Sequence, residues 1–157
     1  MNEQRDCLIG ALKATSDRAI AERAERILWV SSNTRPMPSA VIGRIEEMAL
    51  LNEATHCFVD GHFIAAIIVA AAYVEQQLVQ ELLDRGLTSN DKLRASEAIT
   101  LAQTHAVFES ALLARVDAVA ELRNSYAHLR LPTHPTSFSG RFNNSRLHPD
   151  LIRENDA

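Results

Sequence analysis

Apolar residues recur every three or four positions along most of this chain, the spacing that places them on one face of an α-helix. The pattern predicts helices over residues 3–30, 39–59, 62–85, 91–103 and 107–130. No pair of strands is indicated. The expected fold class is therefore all-α, an antiparallel helical bundle of four to five helices followed by an irregular C-terminal tail.

The first predicted helix is expected to bury one apolar face. The apolar residues that recur at helical spacing on it are Leu8, Leu12, Ile20, Ala24, Ile27 and Leu28. Asp17, Glu22 and Arg26 are expected to point into solvent. Pro36 and Pro38 follow and interrupt the helix.

The third predicted helix is apolar nearly all round in its first half, so it is expected to be the central helix. Its longest apolar run, Phe63 to Val74, covers about 12 residues, well short of the ~20 that are needed to cross a bilayer. We therefore expect a buried helix and no membrane association. For the fourth helix, the polar run Thr88 to Asp91 offers several capping residues.

The fifth helix must end before Pro132, which cannot continue it. Beyond this point Pro, Ser, Thr, Asn and Arg dominate, so residues 132–157 are predicted to be an irregular, Arg-containing tail on a helical domain of residues 1–131. The two cysteines, Cys7 and Cys57, have no CxxC spacing, and the N-terminus lacks the apolar stretch of a signal peptide. These features predict a cytoplasmic protein.

Charge is distributed unevenly along the chain. The formal net charge of −4 argues against sequence-blind binding of nucleic acid through a broadly basic surface. Between residues 123 and 153, however, there are five arginines and a single acidic residue, Asp150. This part of the chain suits a polyanionic partner best.

The octapeptide from Glu121 to His128 is the only stretch that indicates chemistry. Arg123 continues the apolar line of the last helix, where a guanidinium without a partner is costly to desolvate. We therefore expect an anion at Arg123: a carboxylate, a phosphate or an interface cleft. The structural explanation of Arg123 is a salt bridge to Glu75 or Glu121, and that of His128 is a cation at a helix C-terminus.

Arg123, Asn124 and His128 together suit the attack of an RNA 2′-hydroxyl on the adjacent phosphodiester, a reaction that needs no metal. Histidine transfers protons near neutral pH, and arginine stabilises charge on phosphate oxygens. Because Arg123 and His128 lie five positions apart, about 140° around a helix axis, one helix does not bring both onto one small ligand. Two copies that face each other across a two-fold axis do, and this predicts a homodimer.

Arg-Asn, three residues and then His, near the end of a late helix, resembles the HEPN superfamily, as does the small-residue-rich segment from Gly61 to Glu75. The resemblance spans residues 40–130. It implies an antiparallel bundle, dimerisation with the motif helices facing, and metal-independent endoribonuclease activity that leaves a cyclic phosphate, often in toxins or in defence against phage. It makes Arg123 and His128 catalytic, with Asn124 as the polar residue after the arginine.

The resemblance also bears on partners. An antitoxin or a nucleotidyltransferase is expected to accompany such a toxin. Some HEPN toxins carry a tyrosine, two residues after the histidine, that the nucleotidyltransferase modifies; Arg130 stands at that position here, which argues against this regulation. Tyr126 and Arg130 are the candidate substrate-binding residues.

Two alternatives stay open. HEPN-like domains that keep the fold and lose cleavage exist, so the first alternative is a catalytically inactive helical dimer that binds nucleotide, RNA or a partner protein. The second is an unrelated helical interaction protein. No cofactor is expected, and no metal either: His56, Cys57 and His62 point apart on a helix, and no fourth ligand has a suitable spacing.

Overall fold

A computed structural model describes residues 2–34, 45–128, 131 and 134–157, and every regular element in them is an α-helix. The helices are α1 (Asn2–Asn33), α2 (Ile45–Val59), α3 (Phe63–Asp84), α4 (Ala95–Thr104), α5 (Ser110–Ala127), α6 (Phe138–Ser145) and α7 (Pro149–Asp156). The all-α class is confirmed. The described part of the chain has seven helices where four to five were predicted, and the predicted start of α2 at Ser39 lies outside it.

Helix α3 lies at the centre of the fold, as its apolar surface predicts. It contacts α2, α4, α5 and α7, and its observed bounds differ from the predicted 62–85 by one residue at each end. The largest cluster of buried residues joins α3 to α4 and α5, and consists of Leu78, Leu82, Ala98, Ile99, Ala102, Val107 and Leu113. Burial of this apolar surface is the main force that holds the three helices together.

Helix α3 is also long and apolar enough to span a membrane, judged by length and composition alone. It is the one such helix among the described residues, and its mean hydropathy reaches 1.5 over an 18-residue window. The core helix of a soluble protein has the same properties. Because α3 contacts four other helices of this chain, its character is compatible with a soluble protein.

Helix α1 does not bury the face that was predicted for it. Residues 4–21 are all exposed, and the exposed fraction is 60% at both Leu8 and Leu12. The other large apolar residues of that face, Ile20, Ile27 and Leu28, are exposed as well. The prediction is wrong because hydrophobic spacing identifies an apolar face but does not say whether another element covers it.

Arg26 of α1 was predicted to face solvent, but it packs against the body. The Arg26 side chain is only 11% exposed. Its Nε donates a hydrogen bond to the Val59 carbonyl at 3.0 Å, and its guanidinium carbon lies 5.5 Å from the centre of the Phe63 ring. The long stem of an arginine can pack on apolar surface while its head is paired, which a simple polar-out rule does not anticipate.

The fourth helix starts later than predicted. The side chains of residues 88–91, expected to cap it, close a turn instead: the Asn90 amide donates to Thr88 Oγ1 at 3.1 Å, and the Lys92 amide donates to Asn90 Oδ1 at 2.9 Å. At the observed start of α4, the Glu97 carboxylate accepts a hydrogen bond from the Arg94 amide at 3.1 Å.

The tail is helical, not irregular as predicted. At α6, Ser137 Oγ accepts a hydrogen bond from the Gly140 amide at 2.9 Å. At α7, His148 Nδ1 accepts one from the Asp150 amide at 3.3 Å, and Pro149 occupies the first turn. These capping side chains bind backbone N–H groups at the N-termini of α6 and α7. The polar composition of the tail did not indicate these helices. Helix α7 contacts α3, so the tail lies on the body.

Candidate functional site

The predicted motif lies at the C-terminal end of α5, and the helix ends inside it. Ala127 is the last helical residue, three before the predicted end, and His128 is the C-cap with an extended backbone (φ −120°, ψ 141°). The His128 amide donates to the Asn124 carbonyl at 3.2 Å, while its side chain is exposed. Pro132 sets only the latest residue at which the helix can end, and the helix ends earlier. Because His128 lies beyond the last helical residue, the angle of about 140° expected between Arg123 and His128 does not apply.

Arg123 lies on the side of α5 that contacts α3, where it forms an ion pair with Glu75. Its Nη2 donates to Glu75 Oε1, and the two side chains are 27% and 28% exposed. The anion predicted at Arg123 is therefore a carboxylate of the same chain. The Nε of Arg123 is buried and has no hydrogen-bond partner among the described residues. Because the pair is half-buried, water screens it less than a surface pair, and Glu75 holds the guanidinium in place.

Tyr126 is covered by the tail. Its ring centre lies 6.0 Å from that of Phe138 and 5.2 Å from the guanidinium carbon of Arg141. Its hydroxyl donates a hydrogen bond to Asp156, which also forms an ion pair with Arg141. One carboxylate of α7 therefore connects α5 to α6. Tyr126, Arg141 and Asp156 are called the tail cluster below.

The contacts in the tail cluster shift the pKa values of Tyr126 and Arg141. Burial, together with the hydrogen bond to Asp156, raises the pKa of Tyr126 to about 12. Burial lowers the pKa of Arg141, but the hydrogen bonds to Asp156 and Tyr126 outweigh it, so the net shift is upward. Tyr126 is therefore a neutral hydrogen-bond donor at physiological pH, and the hydroxyl that was predicted to bind substrate is engaged by Asp156.

The other predicted residues occupy different environments. Asn124 is half-buried, and its carbonyl oxygen binds the amide of His128. Ser125 is buried, and its Oγ donates to the Leu122 carbonyl at 2.7 Å. Arg130 lies outside the described residues, so its role in substrate binding stays a prediction.

Sequence reasoning missed the tail cluster. Asp156 lies 30 positions after Tyr126, and no local spacing connects the two. The available signal was the excess of arginine over acid near the end of the chain, which indicates that a partly buried arginine there needs a carboxylate. Glu75 is the first charged residue after the apolar run from Phe63 to Val74. It was correctly named among the partners of Arg123, because an acid that follows such a run directly is expected to need a partner.

A groove on the other side of Glu75 is acidic. It lies between α2, α3 and the segment after α3 and has a volume of about 420 Å³. Its charged lining residues are all acids, namely Glu46, Glu47, Glu75 and Asp91. Such a groove repels phosphate groups.

The three residues considered as metal ligands, Cys57, His56 and His62, differ in their exposure. Cys57 is buried, and its thiol is 3.8 Å from Glu53 Oε1. Burial and the neighbouring Glu53 carboxylate raise the pKa of this thiol. His56 and His62 are exposed. Within the described ranges, no three His, Cys, Asp or Glu side chains are grouped so as to hold a metal ion.

Comparison with known proteins gave no match to a protein-family model, to a curated protein or to a solved structure. The function must therefore be argued from the residues at the end of α5 and from their surroundings.

Proposed function

We propose that this protein is a metal-independent endoribonuclease of the HEPN type that acts in the cytoplasm as a toxin or defence component. One arrangement supports the proposal: Glu75 holds Arg123 half-buried on α5, and the exposed imidazole of His128 follows at the end of the same helix. A fixed cation and an accessible proton carrier thus lie within two turns. In this proposal, α2 to α5 form the antiparallel bundle that carries the motif.

The proposed reaction is a transesterification within the RNA strand. The 2′-hydroxyl gives its proton to the imidazole of His128, and its oxygen bonds to the adjacent phosphorus. The bond from phosphorus to the 5′ oxygen breaks, and that oxygen receives a proton from an imidazolium. Arg123 stabilises the charge that grows on the phosphorus oxygens, and Asn124 orients the imidazole or a phosphate oxygen. The products are a 2′,3′-cyclic phosphate and a 5′-hydroxyl, with no net change in protons.

The proposed active form is a homodimer with the motif helices facing. Arg123 is anchored in its own subunit by Glu75, whereas His128 lies beyond the helix end on extended backbone and is exposed. An isologous interface places each histidine near the arginine of the other subunit and supplies one imidazole as base and one as acid. An antitoxin that covers this surface, or a nucleotidyltransferase that acts on the protein, is the expected regulatory partner.

The experiment is incubation of the purified full chain with labelled RNA in EDTA, with two motif variants and two matched controls. His128→Ala is paired with His105→Ala, because His105 is also an exposed histidine at a helix C-cap. Arg123→Ala is paired with Arg85→Ala, because Arg85 also forms an ion pair with a glutamate of α3, Glu81. Each motif variant is expected to lower cleavage about 100-fold or more.

The products are expected to carry cyclic phosphate ends. Both control variants are expected to keep activity close to that of the wild type. Equal losses in His128→Ala and His105→Ala would show that the histidine has no chemical role. Sizing of each variant by light scattering separates loss of chemistry from loss of the dimer, since an inactive variant that stays dimeric has lost a catalytic group.

A specific observation favours a second candidate, a catalytically inactive helical dimer that binds nucleotide, RNA or a partner protein. Two polar groups of the motif are already engaged inside the chain: Arg123 by Glu75 and the Tyr126 hydroxyl by Asp156. Saturable binding of RNA without any cyclic phosphate product identifies this second function, whereas EDTA-resistant cleavage that depends on His128 excludes it.

A further inference from the structure

None of the described residues covers the first half of α1. Residues 4–21 are exposed throughout, and at 1.5 Å per residue they form about 27 Å of helix. Most of the stability of a protein helix comes from the packing of one of its faces, and Gly10, around which no other atoms pack, weakens the helix further. Within the described residues, this part of α1 lacks such packing.

One face runs the whole length of α1 at heptad spacing, with alternating steps of three and four residues. The face consists of Arg5, Leu8, Leu12, Thr15, Ala19, Glu22, Arg26 and Trp29. Its last two members contact the body: Arg26 through Val59, and Trp29 through the ring of Phe58 at 5.2 Å. The two leucines continue the same face where no body lies beneath it, and each is 60% exposed.

The middle of this face borders an open groove. Thr15, Ala19, Glu22 and Arg26 form one side of it, and the start of α3 and α7 form the other. The groove has a volume of about 1140 Å³, and the half-exposed apolar side chain of Ile64 lies along it. It has room for side chains from a second helix laid along α1.

We propose that this heptad face pairs antiparallel with the same face of a second copy of the chain. In the register that sets Leu12 against Thr15 of the partner subunit, Leu8 lies against the partner's Ala19. The same register sets Arg5 against the partner's Glu22. A two-fold axis repeats every contact, so both leucines of each subunit are covered and two Arg–Glu pairs form.

Charge complementarity supports a second copy as the occupant. Arg5 lies on the heptad face one turn before Leu8, and it has no side-chain partner among the described residues. Glu22 is 44% exposed and binds Arg18 Nε at 2.7 Å, which leaves its second oxygen with only a distant contact to Arg26 at 3.9 Å. Of the registers that cover both leucines, this one also sets Arg5 against a carboxylate.

Sedimentation velocity and light scattering on the full chain test this contact. Wild type is expected to self-associate in the micromolar range, because only a short two-helix seam is buried. Leu8→Glu/Leu12→Glu is expected to weaken association about 100-fold. The matched control is Leu28→Glu, at a 67% exposed leucine of α1 that is not a member of the heptad face, and it is expected to leave association nearly unchanged.

A charge exchange tests the register. Arg5→Glu and Glu22→Arg are each expected to weaken association about tenfold, and the double variant to recover it. Any of three results would overturn the proposal. The wild type stays monomeric at ~100 µM, Leu28→Glu weakens association as much as the two leucine changes do, or the double charge variant does not recover association.

This contact does not depend on the proposed RNA cleavage. If the motif helices also pair, the leucine variant is reduced to dimers held by those helices and does not produce monomers. Failure of the α1 contact leaves the mass unchanged in that variant, whereas failure of the nuclease proposal changes only the cleavage assay.

Discussion

Replacement of Asp156 by asparagine is expected to release the tail from α5. The Asp156 carboxylate is 17% exposed, and its ion-pair partner Arg141 is 22% exposed. The same carboxylate accepts the hydroxyl hydrogen of Tyr126. Asparagine has nearly the same shape and keeps one acceptor oxygen, so the change removes the charge with little effect on packing.

The size of the effect follows from these two contacts. A hydrogen bond to a charged group contributes about 1.5–3 kcal/mol, and breaking a buried ion pair costs about 3–5 kcal/mol. Partial exposure of both partners screens the pair, and asparagine retains part of the hydrogen bond. We therefore expect a loss of about 2–3 kcal/mol, which lowers the Tm of a chain of this size by roughly 5–10 °C.

Calorimetry and amide hydrogen exchange measure this effect, with Asp150→Asn as the matched control. Asp150 lies in the same helix and pairs with Arg153, but its side chain is 64% exposed, and such surface pairs contribute about 1 kcal/mol or less. Amides of α7 are expected to lose protection in Asp156→Asn and to keep it in the control. Equal Tm values for the two variants would refute the assignment of the tail cluster as the contact that holds the tail.

Three further predictions concern Tyr126, helix α6 and the core. In a Tyr73→Phe chain, which keeps Tyr126 as its one tyrosine, the absorbance of Tyr126 is expected to titrate near pH 12, and a midpoint near pH 10 would contradict this. Because the folded pKa lies above the unfolded value of 10, the contribution of Tyr126 to stability is complete below pH 10 and is lost as the pH rises towards 12. Gly140→Ala is expected to unfold α6, because a Cβ there would lie 2.1 Å from the His134 carbonyl oxygen; unchanged protease resistance of the tail would argue otherwise. Leu82→Ala, at a fully buried position, is expected to cost about 2–5 kcal/mol in urea unfolding, and a cost under about 1 kcal/mol would show that the core is placed wrongly.

The sequence predicts the middle of the fold well because there the local and tertiary signals agree. Helix α3 is apolar on nearly every side, so any compact arrangement must surround it, and its bounds follow from Gly61 before it and Gly86 after it. Both glycines have positive φ, 79° and 66°, a conformation that favours glycine at the ends of helices.

The same rules fail at both ends of the chain, for two different physical reasons. In α1 the apolar spacing is real, but it marks a face whose first half is exposed and has no partner in the described part of the chain. In the tail the polar composition is real, but Ser137 and the His148-Pro149 pair cap helices that composition alone does not reveal. Capping residues are local signals and could have been read, whereas the cover of an apolar face depends on the whole assembly.

At the candidate site, the sequence could identify the cost of burying Arg123 but not the anion that offsets it. Glu75 is 48 positions away, and only the packing of α3 on α5 brings it within reach. A guanidinium has five N–H donors, so one carboxylate oxygen does not exhaust it. The ion pair therefore serves either function: it can hold Arg123 ready for a phosphate from outside, or it can be the whole reason for the arginine. The cleavage assay with Arg123→Ala and His128→Ala distinguishes these two functions, because a purely structural ion pair predicts no EDTA-resistant cleavage that depends on His128.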